Sequence, residues 1–192
     1  MAKYRRLSKA LTDYIGFKEE HRAIGKPIAK SSLSTVKKGI WDLSGKVVIV
    51  AEKPKAARRI VEALSYKVRP RLYRSNGIPY WILRSAALEL YIVPSAGHLF
   101  GLYTTKRGYP IFTYEWRPLY EIDRRSSYTR KFINLLSKIC READYYINAC
   151  DYDIEGSVIG YMIIKNFGNP YRGLRAKFSS LTPYELRKAF TQ

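Results

Sequence analysis

The spacing of apolar and polar residues along this chain changes several times, and each change marks an element. Val47-Val48-Ile49-Val50-Ala51 is an unbroken, mostly β-branched run, which predicts a strand covered on both faces. Residues 55–64 follow with apolar positions at helical spacing. Pro54 suits the first turn of that helix, where its missing N–H has no intrahelical partner. Residues 80–83 and 88–93 predict two more strands, with Asn76-Gly77 as a turn signal before the first. Within 128–143, Phe132, Leu135, Leu136 and Ile139 share one face of a helix. Residues 145–150 read as a strand and 158–164 as the helix after it. Residues 175–181 read as an edge strand, and Thr182-Pro183-Tyr184-Glu185 as a capping box opening a short helix over 186–190. Residues 101–126 hold no clean period and read as an ordered, irregular segment. Strands alternating with helices predict an α/β fold with a mostly parallel central sheet flanked by helices.

Composition adds a partner. The chain has 192 residues, enough for one domain with an appendage, and 35 Lys and Arg face 16 Asp and Glu, a formal net charge of +19. Such a field predicts a polyanionic partner, with nucleic acid first. No long apolar span or signal-peptide pattern is visible, so the expectation is a cytoplasmic protein away from the membrane. Cys140 and Cys150 form no C-x-x-C pair and read as buried thiols in a reducing compartment. Residues 1–44 read as a basic N-terminal extension, partly helical or disordered. Leu7, Leu11, Tyr14 and Ile15 fit a short amphipathic helix there, and Ser31-Ser32-Leu33-Ser34 a linker. Residues 45–181 make the α/β domain, and 182–192 the opening of a following helical element.

Candidate chemistry gathers at two predicted strand ends. Asp151-Tyr152-Asp153-Ile154-Glu155-Gly156-Ser157 lies between a strand and a helix, at the sheet edge where α/β proteins build sites. In extended backbone, residues two apart point the same way, so Asp151, Asp153 and Glu155 are expected to converge, and their hard oxygens suit Mg²⁺. Glu52-Lys53 occupies the equivalent position after the first strand, where a helix N-terminus and a lysine favour phosphate. His98 follows Gly97 in a turn after a later strand.

Three segments carry a resemblance. Val50-Ala51-Glu52-Lys53-Pro54-Lys55-Ala56-Ala57-Arg58, Ser95-Ala96-Gly97-His98-Leu99 and Asp151-Tyr152-Asp153-Ile154-Glu155-Gly156 together resemble the Toprim domain, a Rossmann-like fold, of type IA DNA topoisomerases, nearest the archaeal topoisomerase I/III branch. The resemblance covers about residues 46–192. It implies an isomerase that cleaves and rejoins one strand of single-stranded or negatively supercoiled DNA with Mg²⁺, in the nucleoid. It assigns Glu52 to proton transfer near the metal and Lys53 to the scissile phosphate. Asp151, Asp153 and Glu155, with Glu52, form the Mg²⁺ environment. Lys53, Lys55, Arg58 and His98 fall to nucleic-acid binding. Many members have Arg where this chain has Ile154, and Glu where it has Ser157. The family's nucleophilic tyrosine lies in a later domain with no counterpart here, so it is expected from a downstream region or a separate chain. The alternatives are a stand-alone DNA-binding module of the same fold, or a Mg²⁺-dependent nuclease using the same carboxylates.

Overall fold

The computed structural model describes residues 39–191. The readings of residues 7–15 and 31–34 lie outside that range. Strand β1 (Gly45–Ala51) runs in the middle of a six-stranded sheet ordered β2-β3-β4-β1-β7-β8. Its neighbours are β4 (Leu88–Pro94) and β7 (Tyr145–Ala149), both parallel to it, and β8 (Gly173–Arg175) extends the parallel part beyond β7. On the other side β2 (Arg71–Ser75) and β3 (Ile78–Ser85) add antiparallel strands to β4. The sheet is mostly parallel, as the alternation of strands and helices implied.

Because successive strand residues face opposite sides, β1 serves two cores at once. Val47, Ile49 and Ala51 join one cluster with Ala57, Ile60 and Leu64 of α1 (Pro54–Leu64). Val48 and Val50 join the other, with Leu136 of α3 (Thr129–Cys140) and Ile163 of α4 (Ile154–Phe167). These β1 residues are fully buried, which explains a run with no polar break. The short helix α2 (Leu119–Ile122) precedes α3. The last helix, α5 (Pro183–Thr191), inserts Leu186 and Phe190 into the α1 core, which also receives Ile40 from a 3₁₀ turn at Ile40–Asp42.

Several local readings differ from the structure. The polar stretch 71–75 is a strand, because it hydrogen-bonds to β3 in a hairpin closed by Asn76, at φ 48°, and Gly77, at φ 84°. Residues 101–126 are more regular than their sequence suggests. They contain the two-stranded ribbon β5 (Phe100–Tyr103) and β6 (Glu115–Pro118), then α2 and a 3₁₀ helix at Arg124–Tyr128. The edge strand ends at Arg175 rather than continuing through 181, and pairs only over Gly173–Arg175. At Thr182 only half of the capping box forms, with Glu185 N–H donating to Thr182 Oγ1 at 3.4 Å.

Both cysteines are buried, and burial raises each thiol to about 12, which keeps them protonated and inert. Tyr146 closes the end of α3 by donating its hydroxyl to the Cys140 carbonyl at 2.8 Å and the Ala143 carbonyl at 3.2 Å. Among the described residues no helix is long and apolar enough to cross a membrane.

One packing contact gives a sign that helix propensity alone would get wrong. Gly160, inside α4, lies against the side chain of Asn148, and a β-carbon there would overlap the amide. Asn148 is buried and held by hydrogen bonds on both sides of its amide, so it has nowhere to move. Gly→Ala in a helix interior ordinarily stabilises by roughly 1 kcal/mol. Gly160→Ala is expected instead to destabilise by about 1–3 kcal/mol through overpacking. A lower urea midpoint at unchanged slope is the expected result, and a raised midpoint would show that Asn148 gives way.

Candidate metal and phosphate site

The site is set by strand order. The chain leaves β1 toward β4 on one side and later returns through β7 on the other, so the C-terminal ends of β1 and β7 flank a topological switch point. Ala51 is paired with Ala149, which brings the segments beginning at Glu52 and Cys150 out of the sheet side by side.

At the end of β1, Lys53 is the extended residue preceding α1, and Pro54 opens the helix. The Lys53 ammonium meets Glu52 Oε1 at 2.8 Å. The Glu52 side chain is only 12% exposed, whereas that of Lys53 is 65% exposed. The hydrogen bond that Lys53 donates to Glu52, and then the Glu52 charge, raise the Lys53 pKa, with smaller contributions from Asp151 and Asp153. Lys53 is therefore a fixed cation with its tip in solvent. Lys55 and Arg58 lie exposed on the first turns of the same helix. The loop after β4 is tied to this strand end, since Ser95 N–H donates to the Ala51 carbonyl at 2.7 Å and Gly97 N–H to the Glu52 carbonyl at 3.1 Å. Gly97 takes φ 75°, left-handed backbone that its lack of a side chain permits. His98 then reaches across to α4, with Nε2 3.5 Å from Glu155 Oε2.

At the end of β7 the acidic loop does not follow the extended geometry that sequence spacing implied. Asp153 N–H donates to the Asp151 carbonyl at 2.9 Å, which bends the chain. Asp153 then caps α4, its Oδ1 accepting from Gly156 N–H at 2.7 Å. Glu155 falls in the first helical turn, solvent-exposed and turned toward His98. The alternation rule therefore fails after Asp151, because helix capping wins over strand continuation. Gly156 is required here, as a β-carbon at that position would strike the Asp151 backbone carbonyl.

Among the described residues no three His, Cys, Asp or Glu side chains are gathered closely enough to hold a metal ion. The donor chemistry nevertheless suits a hard cation. Burial raises the Asp151 pKa first, and the negative charge of Glu52 raises it further, with a smaller contribution from Asp153. Asp151 thus feels the charges of both Glu52 and Asp153, and the Lys53 ammonium sits in the combined field of the three. Mutual repulsion relieved by a cation is the electrostatic signature expected of a divalent-ion site.

Sequence reasoning missed the two residues that hold this loop. Asn148, buried in β7, donates Nδ2 to the Gly156 carbonyl at 3.2 Å and accepts at Oδ1 from Cys150 N–H at 3.0 Å. Arg175, at the end of β8, donates Nη1 to the Asn148 carbonyl at 2.9 Å, to Asn148 Oδ1 at 3.1 Å and to the Cys150 carbonyl at 2.8 Å. Its Nη2 donates to the Asp151 carbonyl at 2.6 Å, and its Nε is buried without a partner. Burial lowers the Arg175 pKa, opposed by the negative loop. Tyr152 lies over the same cation, with the Arg175 guanidinium 5.5 Å from its ring centroid. The one signal in the sequence was a polar Asn inside an otherwise apolar strand.

Arg175→Ala is expected to destabilise the fold by about 1–3 kcal/mol, since three backbone carbonyls lose a charged donor. Hydrogen exchange at residues 150–153 should speed up beyond the global change. Arg175→Lys should recover little, because one ammonium cannot replace a planar fork. Unchanged exchange at 150–153 would show that the loop holds itself.

Comparison with known proteins places this geometry in a family. A family model for the Toprim domain matches residues 47–181. The DNA topoisomerase 1 of Aeropyrum pernix is 50% identical over 144 residues, which cover 75% of this chain and 21% of that protein. The DNA topoisomerase 1 of Pyrococcus horikoshii is 40% identical over 149 residues, with the same coverage. That of Methanothermobacter thermautotrophicus is 36% identical over 155 residues, covering 77% of this chain and 21% of the relative. The chain thus spans about a fifth of the length of the curated relatives it matches. A Toprim match over most of the described fold, on a sheet whose switch point carries Glu52, Lys53 and the acidic loop, leads to one conclusion: this chain belongs to the Toprim domain family.

Proposed function

We propose that this chain is the Mg²⁺-binding, DNA-phosphate-handling portion of a type IA DNA topoisomerase that cleaves and rejoins one DNA strand. The observation that carries this reading is the in-register pairing of β1 with β7, which sets Glu52 and Lys53 beside Asp151 and Asp153. The similarity to proteins named DNA topoisomerase 1 supports it. Those relatives carry the matched region on a much longer chain.

In this reading Lys53 holds a DNA phosphate. Its ammonium is solvent-exposed, kept charged by Glu52, and presented at the start of a helix whose first N–H groups point outward. Glu52, nearly enclosed and bonded to Lys53, is placed to take or return a proton at the sugar oxygen of the cleaved bond. Glu52, Asp151, Asp153 and Glu155 would hold Mg²⁺, which supplies positive charge for aligning DNA ends. Arg175 and Asn148 fix the backbone from which Asp151 and Asp153 project. Lys55, Arg58 and His98 extend the contact along the DNA, and the net charge of +19 steers it in. The place of action that follows is on DNA in the cytoplasm.

Two measurements test this reading. Folding raises the Asp151 pKa, so its ionisation costs the folded state; that cost appears as pH rises through the ordinary carboxylate range and is complete above the folded pKa. At neutral pH without divalent ions, Asp151→Asn is therefore expected to raise the melting temperature. Mg²⁺ at a hundredfold excess over its Kd should stabilise the wild-type chain by about 2.7 kcal/mol, and Asp151→Asn should abolish most of that gain. An undiminished Mg²⁺ response in the variant would overturn the site. On negatively supercoiled plasmid the chain alone should give no relaxation. A polypeptide joining it to a tyrosine-bearing domain should relax the plasmid only with Lys53 and Asp153 intact. Relaxation by the isolated chain would contradict the account.

A further inference from the structure

The β5–β6 ribbon is anchored where it starts, with Phe100 buried against Phe167, and is exposed farther out at Leu102 and Trp116. Gly101 lies against Leu119 and Ile122 of α2, and Leu119 N–H donates to the Leu99 carbonyl at 2.9 Å, so the Gly101 face is anchored as well. Strand alternation sends Leu102 and Trp116, paired directly across the ribbon, to the other face, where both are exposed. The loop joining the strands adds Tyr109, 99% exposed, and Phe112, 85% exposed. These four large apolar or aromatic side chains left in water within fifteen residues of one ribbon and its loop suggest a contact surface.

The charge around them selects the partner. Residues 104–114 contain Lys106 and Arg107 and no Asp or Glu. The nearest carboxylate in sequence, Glu115, is already neutralised by Arg117 at 2.5 Å, and that guanidinium also lies 4.6 Å from the Tyr103 ring centroid. A protein partner for an apolar ribbon would need acidic groups set against these cations. A single nucleic-acid strand supplies both halves of the complement, phosphates for the cations and unpaired bases for the rings. The ribbon also begins two residues after His98, whose pairing with Glu155 ties it to the candidate site.

We propose that the exposed end of the β5–β6 ribbon, with Tyr109, Phe112 and Trp116, is a second nucleic-acid contact that stacks unpaired bases of a single strand. It rests on the reading of this chain as a DNA-handling domain and adds to it a surface that prefers single strands to duplex. Lys53 and the carboxylates handle a phosphate at the sheet edge, while the ribbon grips flanking bases without reading sequence. Stacking on one aromatic is worth a factor of about 5 to 150 in affinity.

The test is fluorescence anisotropy with the full chain, using a labelled dT oligonucleotide and a labelled duplex at fixed low salt. Tyr109→Ala with Phe112→Ala is expected to weaken dT binding at least about tenfold while duplex binding changes little. Both side chains are solvent-exposed, so the melting temperature should stay put, and Trp116→Phe, which keeps a ring, should retain dT affinity. Equal dT affinity in the double variant and wild type would overturn the ribbon proposal and leave the sheet-edge site standing. Equal loss for dT and duplex would also overturn it, because stacking needs unpaired bases. If the wild-type chain binds neither probe, the DNA-handling reading fails along with it.

Discussion

Parallel pairing of β1 with β7 is the constraint on which the rest of this structure depends. It needs β1 to be buried on both faces, and the run Val47-Val48-Ile49-Val50-Ala51 meets that need with alternate residues serving the α1 and α3–α4 layers. Once Ala51 is opposite Ala149, the chemistry at the two strand ends is no longer independent. Glu52 and Asp151 repel, Lys53 compensates, and the Asp151 carboxyl is held above its ordinary pKa by burial and by Glu52. Charges of one sign gathered at a sheet edge destabilise a domain by themselves. Such a grouping marks the strand ends as a candidate functional site with a physical rationale.

A second layer of organisation keeps that edge in place. Buried Asn148 and half-buried Arg175 form a polar hub in which a single amide bridges β7 to α4 and a single guanidinium bridges β8 to the loop carbonyls. Each bond alone is ordinary. Together they satisfy backbone groups at the end of a strand, where ladder bonding stops. The close approach of α4 at Gly156 and Gly160 belongs to the same device, because it lets the helix start directly over the Asp151 loop.

How much of this was legible in the sequence depends on how local each feature is. The strand β1, the helix α1 and the positions of Glu52, Lys53 and Asp151 followed from periodicity, since burial imposes its pattern residue by residue. β2 was invisible because an exposed edge strand such as Arg71–Ser75 needs no apolar alternation; its identity comes from pairing with β3. The β5–β6 ribbon was hidden by a long loop between short strands. The acidic loop was located correctly but given the wrong backbone. Alternation assumes an extended chain, and the N-cap preference of Asp153 ends that extension. Arg175 could not be recognised at all, because its partners are carbonyls more than twenty residues away.

The central claim is that Glu52 and Asp151 share one electrostatic site across the β1–β7 seam. Carboxyl-carbon NMR titration of Asp151, in the wild-type chain and in Glu52→Gln, measures that sharing directly. The account expects the Asp151 pKa to stand above its ordinary value in the wild type and to fall toward it in the variant, as the neighbouring charge is removed. An Asp151 pKa that is ordinary in the wild type, or that does not move when Glu52 is neutralised, would contradict it.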